Sequence, residues 1–299
     1  MAQKDVIQRQ NLVINYLRKR PRSFDDIEMY LENESSIQSA DLFISRRTFQ
    51  RDIREIEAIW KIVIEFNRTT RKYEIVCDPD KPEDNMLLES FDIINTINAG
   101  EKLSEYICFE SRKARGTHFI LDIITAIKNR KVLNIKHQKY WEDVYSEREV
   151  EPFAIKEYKY RWYLIAKDLK DHKIKSFGLD RIKALQSTHS SFTYPEDFDI
   201  KEFFRFTFGI MGTKGEKEEN IILSFTPFQG KFIKAVPMHH SQRVHNDNKN
   251  EFRIALNLVP TVDFVMEVQQ YAQAVKVIQP QWLADEIKNN LQETLKQYV

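Results

Sequence analysis

Arg47, Gln50, Arg51 and Arg54 fall within one helical stripe, and none of them suits acid–base or nucleophilic chemistry. They suit a hydrogen-bond code, because Arg pairs with guanine and Gln with adenine on base edges exposed in a major groove. Ser45 stands where an N-cap is expected, so Arg46 and Arg47 would project from a helix N-terminus. Arg68, Arg71 and Lys72 surround a turn-like "NRTTR" (67–71) and would meet backbone phosphates. The expected DNA-contacting set is therefore Ser45, Arg46, Arg47, Gln50, Arg51, Arg54, Arg68, Arg71 and Lys72. A second group lies in "YKYRWYLIAKDLKDHKIKSFGLDRI" (158–182), where cations interleave with aromatic rings. Strand alternation assigns Trp162, Leu164 and Ala166 to one face and Arg161, Tyr163, Ile165 and Lys167 to the other. In the next run Lys175, Phe177, Leu179 and Arg181 fall together. Rings among cations can stack bases while charge holds a phosphate backbone. Tyr163 and Phe177 read equally well as cross-strand packing, and Arg181 as an ion-pair partner of Asp180.

These side chains need elements to position them. Ile7, Val13, Ile14 and Leu17 predict a first helix that stops at Arg20-Pro21. Ser23 and Asp26 form a capping box for a second helix containing Ile27, Tyr30 and Leu31. The third carries Phe49, Ile53, Ile56 and Trp60 on the face opposite its arginines, with Asp52 and Glu55 as nearby carboxylates. "IVIEF" (62–66) and "KYEIV" (72–76) make a basic-tipped hairpin. Helix, helix, Arg-faced helix and hairpin describe a winged helix-turn-helix. "DPDKPEDN" (78–85) reads as a linker, followed by a helix with Leu87, Phe91, Ile94 and Ile97. A helix from Phe119 to Ile127 opens a β-rich block whose short strands predict a small barrel. Residues 186–218 read as a connector with an aromatic helix near Phe203 to Phe206. A βαββαβα-like succession then predicts a ferredoxin-like module. Its second helix carries Val262, Val265 and Met266, and its last begins near Pro280.

The 299-residue chain has a net charge of +1, but the charge is unevenly spread. Residues 1–110 are net −5 and residues 191–299 net −2, whereas residues 111–190 hold 18 basic against 10 acidic side chains. A basic centre points to phosphates or another polyanion. Seven glycines argue against Gly-rich nucleotide loops. No apolar run approaches the roughly 18–20 residues of a membrane span. Cys77 and Cys108 lack CxxC spacing, which fits a reducing, cytoplasmic setting.

Catalysis finds little support, since no HExxH, GxSxG, Walker or Rossmann pattern is present. "PMHHSQRVH" (237–245) clusters His239, His240 and His245 without an acidic or Cys partner at metal spacing, and reads as a polar loop leading into a strand. Cys108 beside Glu110 has no arranged base. No enzyme activity, cofactor or metal is expected.

The order of parts resembles the WYL-domain transcriptional regulators. The signature stands as Trp162-Tyr163-Leu164, preceded by "EPFAI" (151–155) and followed by "KSFGLDRI" (175–182), with "AVKVIQPQWLADEI" (274–287) near the end. The resemblance implies an α+β multidomain chain. Its parts would be a winged helix-turn-helix (1–77), a linker and helix (78–110), an Sm-like β-barrel as WYL ligand-sensing domain (111–190), a connector (191–218) and a ferredoxin-like extension (219–299). It further implies a homodimeric DNA-binding regulator, most simply a repressor, that binds a double-stranded operator. A nucleic-acid or nucleotide ligand, single-stranded DNA among the options, would control that binding. The ligand-contacting positions carried over are Arg161, Tyr163, Lys175, Phe177 and Arg181. The chain departs from the pattern at Gly178, where relatives carry a second arginine, and at Lys175, where Arg is common. An RNA- or single-stranded-DNA-binding adaptor is the alternative.

Overall fold

The computed structural model describes residues 3–38, 41–76, 86, 88–91, 93, 116–139, 144–212 and 216–298. The chain divides into two compact units, Met1–Ser111 and Arg112–Val299.

In unit 1, α1 (Gln3–Lys19), α2 (Phe24–Gln38) and α3 (Arg46–Trp60) precede a hairpin of β1 (Val63–Asn67) and β2 (Lys72–Val76). The Ser23–Asp26 capping box forms reciprocally: each backbone N–H donates to the other's side chain, at 3.0 and 3.1 Å. Those bonds hold the Asp26 carboxyl below its usual range. Ser45 caps α3 by accepting from the Thr48 N–H, and Lys61, in the left-handed region at φ 58°, ends it. Arg22, between α1 and α2, exchanges both backbone hydrogen bonds with Tyr73 of β2, at 3.0 and 2.7 Å. Asn67 Oδ1 accepts from the Thr69 and Thr70 N–H groups and shapes the hairpin turn. Phe24, Phe49 and Tyr73 meet edge to face in a core with Ile14, Ile27, Leu31 and Ile56. Phe91 is buried against Trp60. The linker, most of the following predicted helix including Leu87, Ile94 and Ile97, and both cysteines lie outside the described residues.

Unit 2 opens with a 3-10 turn (Thr117–Phe119) and α4 (Ile120–Lys128). Five antiparallel strands follow: β3 (Lys131–Gln138), β4 (Tyr145–Tyr158), β5 (Arg161–Asp168), β6 (Ile174–Gly178) and β7 (Ile182–Ser191). They run in the order β6-β5-β4-β3-β7. The sheet is open, which corrects the predicted closed barrel. A 3-10 turn (Leu179–Arg181) carries the chain from one edge to the other, and the fully buried Leu179 fills that end of the core. Strand β7 also takes residues 186–191 that the sequence assigned to the connector.

Leu133, Ile135, Val150, Leu164, Ala166 and Phe177 pack one face of this sheet against Ile123 of α4. The other face buries Tyr163 and Ile165 against Phe204, just beyond the short helix α5 (Ile200–Phe203). Strand β5 is therefore covered on both sides. Tyr163 and Leu164 of its WYL tripeptide open a run of four buried positions that ends at Ala166, while Trp162 is half-buried.

The last part alternates β8 (Glu219–Phe225), α6 (Pro227–Ala235), β9 (Arg243–Asp247), β10 (Phe252–Leu258), α7 (Val262–Gln269), β11 (Val275–Gln279) and α8 (Gln281–Lys296). Its antiparallel sheet is ordered β11-β8-β10-β9. The predicted second helix forms as α7, whose buried residues are Phe264, Val265, Glu267 and Val268, while Val262 and Met266 are exposed. The β4–β5 hairpin tip docks onto this part within unit 2. Lys159 pairs with the largely buried Glu267 at 2.7 Å, and Tyr158 meets Phe208 edge-on. Among the described residues no helix is long and apolar enough to cross a membrane.

Candidate nucleic-acid and ligand sites

Helix α3 is anchored from below. Phe49 and Ile56 are fully buried, Ile53 and Trp60 partly so, as their spacing predicted. Asp52 is not a surface partner for the arginines. It is fully buried and chelated by Arg9 of α1, with Nε–Oδ2 at 2.7 Å and Nη2–Oδ1 at 2.9 Å. A polar residue inside an apolar stripe was the one available sign of this.

The structure sorts the candidate DNA contacts by how free they are. Ser45 is engaged as the cap. Arg46 lies over the Phe24 ring at 4.5 Å and near Asp25. Gln50 donates to the Tyr73 hydroxyl at 3.1 Å, and Arg51 pairs loosely with Glu55 at 3.6 Å. Arg47, Arg54, Arg68 and Arg71 are exposed and make no side-chain hydrogen bond or ion pair among the described residues. Lys72 is exposed too, close enough to Asp26 to help lower that carboxyl. Arg71 adopts the left-handed region at φ 54° as it closes the turn.

The expected ligand face is rearranged. Backbone register sets Phe177 opposite Leu164 and Lys175 opposite Ala166, while Tyr163 faces Gly178. Tyr163 and Phe177 therefore lie on opposite faces of the sheet. Each is a core residue, Tyr163 at 5% and Phe177 at 6% exposure. Burial pushes the Tyr163 hydroxyl pKa up. The predicted cationic aromatic surface fails because alternation fixes parity within a strand but not between strands, and the 3-10 turn ends alternation at Leu179.

The cations are held in two paired groups. Lys175 contacts Asp168 at 2.7 Å and Asp171 at 2.5 Å. Arg148 approaches the same buried Asp168 at 3.4 Å, and Arg161 pairs with Asp180 at 2.6 Å. Burial works against the Lys175 ammonium, but hydrogen bonds to the two aspartates hold its pKa above the usual value. Gly178 is crowded only by the movable ends of two side chains. A Cβ would lie 2.7 Å from Asp180 Oδ1 and 3.0 Å from Arg181 Nε. An anion approaching Arg161 has to displace Asp180, and one approaching Lys175 has to displace Asp168 and Asp171.

His137 lies near Arg181 and Arg148 and was not foreseen. It shares a face of β3 with Leu133 and Ile135, so its period-two position was the signal. Its ring meets Phe177 edge-on at 5.5 Å, and its buried Nε2 has no hydrogen-bond partner among the described residues. Burial, followed by the nearby Arg181 and Arg148, pushes its pKa down to about 4. His239, against the tilted His240 ring and bonded to Ser241, is likewise held at about 4, chiefly by burial.

A fold that prefers neutral imidazole loses stability as pH falls from the unfolded value near 6.5 toward 4, and is insensitive to these groups above 6.5. His137 alone accounts for a loss on the order of 3 kcal/mol across that window. Melting temperature should therefore drop between pH 6.5 and 4, and His137→Gln should flatten the drop. Parallel melting curves for the two proteins would refute the assignment.

With this geometry in hand, comparison with known proteins places the central sheet. The family model of the WYL domain matches residues 118–187, so this part of the chain is a WYL domain. No curated protein matches the chain. Among solved structures, proteasome accessory factor B/C (PafBC) of Arthrobacter aurescens is 20% identical with a TM-score of 0.29, over 71% of this chain and 32% of that one. The present chain thus spans about a third of PafBC. A second structure, described as a CRISPR Cas-related protein, is 11% identical with a TM-score of 0.40, over 99% of this chain and 85% of that one.

Proposed function

We propose that the protein is a WYL-type DNA-binding transcriptional regulator, most simply a repressor. Unit 1 acts as a winged helix-turn-helix and residues 219–299 as a ferredoxin-like module, a reading supported by the β11-β8-β10-β9 strand order. The observation that carries the function is the exposed Arg47 and Arg54 edge of α3 beside a hairpin tip with exposed Arg68 and Arg71. That arrangement suits a helix in the major groove and a wing on phosphates. The WYL domain then supplies control. A phosphate-bearing ligand, nucleotide or single-stranded nucleic acid, competes with Asp180 and Asp168 for Arg161 and Lys175, with Arg181 alongside and Tyr163 and Phe177 as the packed frame beneath. The protein works as a homodimer in the cytoplasm, on a two-fold operator, without catalysis of its own.

Selection of bound duplexes from a random pool should yield a defined site. Arg181→Ala should keep that site's affinity while losing the response to added single-stranded oligonucleotide. Loss of duplex binding by the folded variant would rule out two separate sites. Tight single-strand binding with no duplex preference would replace this reading with the adaptor.

A further inference from the structure

The unassigned feature that goes furthest is the groove between β11 and the second half of α8, of about 430 Å³. Helix α8 docks by its first half, where Leu283 is fully buried and Ala284 and Ile287 are partly so. The same stripe continues at spacings of four to Leu291 and Leu295, which are 50% and 63% exposed. Val275 and Val277 of β11 form the opposite wall. Strand β11 pairs only with β8 among the described residues, so its outer edge is open. An apolar helix stripe that runs past its own core beside an open edge marks an interaction surface.

The charges select the occupant. Lys276 and Lys288 are the charged residues lining the groove, and neither has an ion-pair partner among the described residues. A second copy of α8 laid antiparallel about Leu291 would bring two Lys288 side chains onto one side of the joint, near both Lys276 residues. Such like-charge crowding disfavours self-association there. We propose that the groove holds an amphipathic helix of another protein, with apolar anchors against Leu291 and Leu295 and carboxylates toward Lys276 and Lys288, in the helix-in-groove mode.

The test is fluorescence anisotropy on the full chain with two labelled designed helical peptides. Both carry leucine at i and i+4 spacing, one with glutamate and the other with lysine on the flanks. The glutamate peptide should bind at least about tenfold more tightly than the lysine peptide. Lys276→Glu/Lys288→Glu should reverse that order, and Leu291→Ser/Leu295→Ser should abolish binding of both without lowering the melting temperature, since these leucines are already exposed. Equal binding of the two peptides would overturn the proposal, as would binding that survives loss of the leucines. Concentration-dependent dimerisation in sedimentation velocity, lost in the leucine variant while neither peptide binds, would instead name a second copy as the occupant and overturn it too.

Discussion

Asp52→Ala is expected to destabilise unit 1 by about 3–5 kcal/mol, because it strips a fully buried guanidinium of its bidentate carboxylate. Arg9 and Asp52 join α1 to α3 through two short charge-assisted bonds with both side chains at 0% exposure. The cost of losing one member is the stranded charge rather than the net worth of the pair. Domains hold only about 5–15 kcal/mol in total, so this one change removes a large share. Arg9→Met/Asp52→Leu, which removes both charges and keeps the volume, should recover most of the loss. Asp25→Ala, breaking a pair whose side chains are 73% and 83% exposed, should change stability by less than about 0.5 kcal/mol. Urea unfolding followed by the fluorescence of Trp60, the tryptophan of unit 1's described residues, measures all three. An Asp52→Ala protein as stable as its parent would show that the buried pair contributes nothing.

Arg47→Ala/Arg54→Ala should abolish recognition of the selected duplex while leaving the melting temperature unchanged. Neither side chain makes an ion pair among the described residues, so the fold loses nothing. Each bidentate guanine contact is worth about 1–3 kcal/mol of discrimination, roughly 5- to 150-fold in affinity. Arg68→Ala/Arg71→Ala should behave differently. On the proposed reading these side chains meet phosphates, which carry no sequence information, so binding should weaken on every duplex. The slope of log affinity against log salt should fall by about 2. Electrophoretic mobility shifts at several salt concentrations separate the two effects. If the α3 variant binds the selected duplex like its parent, this helix does not read the bases.

Much of the scaffold was legible because its periodicities were unmixed. Phe49, Ile53, Ile56 and Trp60 gave α3 its inner face, and Ser23 with Asp26 gave α2 its start. Pro280 sat at the start of the last helix, where it was expected. What stayed hidden was hidden for physical reasons. Asp52 falls within the span of an arginine-rich helix, and nothing local says that its partner comes from Arg9, in another helix. Strand β5 buries Tyr163, Leu164, Ile165 and Ala166 in succession, so alternation sorted its faces without revealing that both are covered. Phe177 was matched to Tyr163 by counting, although the ladder sets it opposite Leu164. The paired state of Arg161 and Lys175 depends on Asp180, Asp168 and Asp171, which strand counting places on no common surface.

Because β5 is a party wall between two cores, neither neighbour can be loosened alone. Pulling Tyr163 away from Phe204 shifts the backbone that seats Leu164 against Phe177. Its hairpin tip is riveted to Glu267 by Lys159. The WYL tripeptide is thus better understood as a mechanical member than as a receptor surface. A disturbance at the Asp168–Lys175 end of the sheet would be felt through β5 by both cores that it separates.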